Sequence, residues 1–282
     1  MIDGVLQLPQ GSSLATQLAR LSLTAQSGGN YTVEINGNEY IAPVQARLPY
    51  GRTDLTITLV GSARSEVRLS ANGSLFTVDS GVTLVLCENV TLVGRSTGGN
   101  GNEDNTASLV QVNSGGILEM NAGSRITGNT TGGWSSGGVN VFGGTFTMRG
   151  GEITGNTANS GWSGSGGGVN VFGGTFIMYG GEITDNTVNV DWGSSGGGVH
   201  VSGSSTFIMY GGEITGNTAN GPLGGGGGIG GGVHASSGGT FIMRGREITG
   251  NDGLSGGGVF AHDSIFQIEN GILGISFTKA IR

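Results

Sequence analysis

The 282-residue chain carries 62 glycines but only four prolines and no strict three-residue period, which excludes a collagen-like helix and points to turns in an all-β fold. A formal net charge of −7, from 12 basic and 19 acidic residues with no basic stripe, argues against nucleic acid and anionic membrane as partners. Cys87 is the sole cysteine, so no intrachain disulfide can form, and no apolar run reaches membrane-spanning length.

The amino end lacks a basic segment followed by an apolar one, so either the chain is not secreted by that route or its targeting segment has been removed, and the second is the expectation. Leu14, Leu18, Leu21 and Ala25 recur at helical spacing, which predicts an amphipathic helix from about Ser12 to Gln26. Ser12 or Ser13 would cap its start and Gly28 would supply a left-handed stop. Its apolar stripe needs a surface to cover, and the open end of a solenoid is such a surface. Tyr31 to Ile35, Glu39 to Ile41 and Leu55 to Leu59 read as lead-in strands. The division expected is a cap with these strands over 1–60, and repeats over 61–282.

From about Leu75 the chain repeats. Phe146, Phe176, Phe207, Phe241 and Phe266 align at steps of 30, 31, 34 and 25 residues, and Ile126, Ile153, Ile183, Ile214 and Ile248 align beside them. Within each unit, three short segments alternate with period two: Val169 and Val171, then Phe176 and Met178, then Ile183. Period two means a strand with one buried face, so three such strands make one turn of a three-sided coil. The expected fold is all-β: a right-handed parallel β-helix of about eight rungs, on the order of 40 Å long, with an amino-terminal amphipathic helix cap.

The polar residues also form columns. Asn129, Asn156, Asn186, Asn217 and Asn251 each stand three residues after the inward isoleucine, where an amide can satisfy the backbone of a corner and bond from rung to rung. Glu152, Glu182, Glu213 and Glu247 form an outward acidic ladder that reads as a solvated face. Four equivalent carboxylates do not divide into the distinct acid and nucleophile that a glycosidase needs. Asn140, Asn170, His200, His234 and Phe260 read as outward on the valine strand, and the histidines lack a third metal ligand. Tyr179 and Tyr210, between Arg149 and Arg244, offer aromatic area for a sugar or protein ligand. Trp134, Trp162 and Trp192 lie on Gly- and Ser-rich insertions at one corner and are the strongest binding cue, since tryptophan is costly to expose. No cofactor is expected: the run Gly224 to Gly228 has no following Gly-Lys-Ser/Thr.

The element Gly-Gly-Glu-Ile-Thr-Gly-Asn at Gly150 to Asn156, with copies at Gly180 to Asn186 and Gly211 to Asn217 and a more distant one at Arg246 to Asn251, resembles repeats of bacterial right-handed β-helix surface proteins. These are the polymorphic outer-membrane and adhesin-like groups, and the resemblance covers roughly Leu75 to Gly274. It implies a secreted or cell-surface module, part of a larger surface protein, acting as an adhesin for a glycan or an extracellular protein, or as a passive spacer. Pectate lyases and polygalacturonases share this fold class, which makes a polysaccharide lyase or glycoside hydrolase the alternative. Their sites use aspartate clusters with lysine or arginine. Here no lysine occurs between Met1 and Phe277, and Asp185, Asp191, Asp252 and Asp263 form no evident cluster.

Overall fold

A computed structural model of the protein describes residues 11–43, 54–97, 104–132, 135–160, 165–191, 193, 195–221 and 229–269. The chain coils into a parallel β-solenoid. Nine strands stack in a sheet that carries the phenylalanines, eight in the isoleucine sheet and seven in the valine sheet, so seven turns visit all three. Every strand pairing is parallel and in register: Phe146 lies beside Phe176, Phe176 beside Phe207, Ile153 beside Ile183 and Val171 beside Val201. All these side chains are fully buried, and with their neighbours they form one apolar column from Leu14 to Ile248. Adjacent phenylalanine rings stack at 4.5–4.8 Å between Phe146 and Phe241. That spacing is the rung repeat itself, so register and ring contact enforce one another.

The helix α1, Leu14–Thr24, caps the first rung. The Ser13 side chain accepts from the Thr16 N–H, and Leu14, Leu18 and Leu21 are buried as the heptad-like spacing requires. The Glu39 carboxylate accepts the Leu14 N–H at 2.8 and 2.9 Å, which places a negative charge against the helix amino end and ties it to the isoleucine sheet. Gln17 donates from Nε2 to the Glu34 carbonyl, a second tie to the rung beneath. The helix ends at Ala25 in extended backbone, and Gly28, at φ +77°, turns the chain into Asn30–Ile35. That strand already pairs with Leu55–Gly61, so the lead-in strands are the first rungs of the solenoid.

The later turns add a short strand to the three that the sequence predicts. From Thr130 onward each turn holds a fourth strand between the isoleucine and valine strands: Thr130–Gly132, Thr157–Ser160, Thr187–Val190, Thr218–Asn220 and Asp252–Gly253. Ala158, Val188, Val190 and Ala219 from these strands bury themselves in a small apolar cluster of their own. The corner that leads into the isoleucine strand is glycine at Gly151, Gly181 and Gly212 for a steric reason, whereas Arg246 takes the same place at φ +70° in a later turn. Gly181 sits at φ +93°, and a Cβ there would lie 2.7 Å from the Gly151 carbonyl oxygen of the rung below.

Candidate functional site

Asn129, Asn156, Asn186, Asn217 and Asn251 are buried at the corner between the isoleucine and fourth sheets. Asn156 donates from Nδ2 to Asn186 Oδ1 at 3.1 Å, Asn186 to Asn217 at 3.0 Å, and Asn217 to Asn251 at 2.9 Å. Each Oδ1 also accepts the backbone N–H of the preceding asparagine, and each Nδ2 reaches an isoleucine carbonyl of the rung before. The amides therefore satisfy the corner backbone as the spacing predicted. No bonding capacity is left over for a ligand.

A second polar column runs on the other side of the valine sheet. Asn113 donates to Asp79, Gln111 to Asn113, Asn140 to Gln111 and Asn170 to Asn140, at 2.6–3.0 Å. Because Asn170 spends its amide N–H groups in that direction, its Oδ1 accepts from His200 Nδ1 at 2.9 Å. The His200 Nε2 must then accept from the Ser236 hydroxyl at 3.1 Å, which fixes the tautomer. His200 and His234 are nevertheless buried and stack at 5.2 Å, with His234 against Phe260 on its other side. They do point away from the core, as valine alternation requires, but that outer side is covered. Burial pushes the His200 pKa down to about 4; burial and the neighbouring His200 and His262 push His234 down to about 3. Both rings are neutral at pH 7, and neither His234 nitrogen has a hydrogen-bond partner among the described residues.

The Tyr179 and Tyr210 rings stack at 5.0 Å on an exposed edge. Arg149 covers one end of the stack at 5.3 Å and Arg244 the other at 5.1 Å, and Arg244 also bonds the Tyr210 hydroxyl and the Glu269 carboxylate. The Glu269 bond raises the Arg244 pKa above its ordinary value. The outward faces of the ring pair are covered by guanidinium groups and the inner faces by one another, so ring edges are what the column presents to solvent. Phe142 and Phe172 make a second exposed stack, at 5.5 Å, which the sequence reading did not single out. Alternation signalled it: both stand two residues past the outward Asn140 and Asn170.

The acidic ladder has the predicted register, with Arg125 beside Glu152, then Glu182, Glu213 and Glu247. Glu182, Glu213 and Glu247 are exposed, and Arg125 pairs with Glu152 at 3.3 Å. At the amino-terminal end of this ladder a groove of about 410 Å³ opens along the corner, with Arg64 and Arg125 in its wall together with Glu152 and Glu182. Among the described residues no cluster of three or more His, Cys, Asp or Glu side chains could hold a metal, and no helix is long and apolar enough to cross a membrane. Trp134, Trp162 and Trp192 lie outside the described residues. No protein family, no curated protein and no solved structure matches the chain.

Proposed function

We propose that the chain is a rigid structural module of an extracellular or cell-surface protein, adhesin-like in presenting a long outer surface to a glycan or an extracellular protein. One observation carries this reading: the asparagine ladder, buried at 0–6% exposure, spends its bonds from rung to rung and on the corner backbone. A rod whose corner amides are satisfied from within stays stiff without a ligand and leaves its loops and outer columns free to vary.

The test is an array of glycans and extracellular-matrix proteins, followed by the triple variant Trp134→Ala, Trp162→Ala, Trp192→Ala. Binding that disappears in the variant while the melting curve stays unchanged supports the adhesin-like reading with the tryptophan corner as its site. Binding that survives moves the site elsewhere. A chain that binds nothing on either array reduces the module to a passive spacer. Saccharide cleavage abolished by Glu182→Gln or Glu213→Gln would replace both with the lyase or hydrolase reading.

A further inference from the structure

We propose that the groove at the amino-terminal end of the glutamate ladder binds a short peptide with free termini, its carboxylate on Arg64 and its ammonium on Glu182. This goes beyond the surface-module reading and does not depend on it. The four charges in the groove wall are not equivalent. Arg125 and Glu152 pair in the middle at 3.3 Å and largely cancel, whereas neither Arg64 nor Glu182 has an ion-pair partner among the described residues. Strand register places those two at opposite ends. Ser65 lies beside Val90, Thr91 beside Arg125, Arg125 beside Glu152 and Glu152 beside Glu182, which makes four rung steps. At 4.8 Å per step they stand about 19 Å apart along the axis.

Polarity selects the class of ligand. A polyanion running the length of the groove would meet Glu152 and Glu182, and a polycation would meet Arg64; a chain with one charge of each sign at its two ends meets neither penalty. An extended tetrapeptide spans about 13 Å, and the long, exposed Arg64 side chain can bridge what remains. Between the charged ends the wall suits peptide groups. Gly151 and Gly181 carry no side chain, and Asn89, Thr91 and Ser124 give the wall a small, polar lining. Ala122 is the one apolar side chain among the described lining residues, so the groove admits small residues and offers no pocket for a large one.

The experiment is isothermal titration of the full chain at low ionic strength with tetra-alanine, its C-terminal amide and its N-acetyl form. Free tetra-alanine should bind; amidation should weaken binding by about tenfold against the wild-type chain and have little effect against Arg64→Ala. Acetylation should show the same dependence on Glu182→Gln. Both residues are exposed, so unchanged melting curves serve as the folding control. The proposal is overturned if free tetra-alanine gives no heat at millimolar concentration, if the capped peptides bind as well as the free one, or if each capping penalty is the same in wild type and variant.

Discussion

The first rungs and the later ones solve the same packing problem differently. Up to Val93 the core is mainly isoleucine, leucine and valine, as in Ile57 beside Leu84 and Leu84 beside Leu118, with Tyr31 and Phe76 as its buried aromatics, and no strand of the fourth sheet occurs among the described residues. From Thr130 each turn gains a fourth strand, and the corner that precedes it is held by an asparagine. The changeover can be located. Gly94 occupies the corner in the rung before Asn129, and a Cβ there would lie 2.2 Å from the Asn129 Cβ. Asn129 thus packs directly on a residue with no side chain, and its Oδ1 accepts instead from Asn105 Nδ2 at 3.1 Å. The difference teaches that a bonded corner amide goes with an additional short strand in the turn.

The largest effect should come from breaking the aromatic ladder. Phe176→Ala leaves a void between two stacked rings and should cost about 3–5 kcal/mol in chemical denaturation. Leu84→Ala, in the aliphatic rungs, should cost less because a smaller group is removed from a less regular stack. Equal losses would mean the two regions pack alike.

Asn186→Ala comes next. It strands the Asn156 N–H groups and the Ile153 carbonyl together, with an expected loss of about 2–4 kcal/mol. Hydrogen exchange should then speed up in Thr187–Val190 and stay unchanged in Leu55–Gly61. Uniform acceleration along the rod would refute a local role for the corner amide.

The smallest effect per step concerns pH. All three histidines, His200, His234 and His262, lie in the later rungs. Since His200 and His234 have folded-state pKa values of about 4 and 3 against an ordinary 6.5, the unfolded chain binds their protons first. Stability from this source is whole above pH 6.5 and falls as pH drops toward 4, by about 1.4 kcal/mol per unit for each histidine. Proteolysis at pH 5 should open the later rungs before the early ones, and His234→Phe should shrink that difference. A pH-independent pattern of cleavage would show that the burial of these rings does not govern acid stability.

Much of this was legible in the sequence because inward residues repeat by type. Phe176 and Met178, or Val169 and Val171, can share a side only in a strand, and their 30-residue recurrence leaves few options but a coil. The fourth strand was hidden because its buried residues are small. Thr157-Ala158-Asn159 and Thr218-Ala219-Asn220 run into Gly-rich insertions and read as loop, although Thr187-Val188-Asn189-Val190 carried the alternation in the clear. The side on which His200 stands followed from its neighbours Val199 and Val201; that this side is buried did not, because Asn170, His234 and Ser236 of the adjoining rungs enclose the ring and local alternation carries no record of that. The groove escaped notice for a related reason: Arg64 and Glu182 are 118 positions apart and meet only through four turns of register.

Of three amide columns, one points opposite to the other two. At the corner, Asn156, Asn186 and Asn217 donate toward the carboxyl end of the rod, whereas Asn170 and Asn140 on the valine sheet, and Asn220 and Asn189 on the fourth strand, donate toward the amino end. Aligned amides add their dipoles as peptide units do in a helix, so one column alone would build up a field that increases with every turn. Columns of opposite sense offset one another. A coil of this kind can be lengthened or shortened by whole turns in evolution without its ends becoming electrically polarised, and its length is then free to follow the distance it has to span.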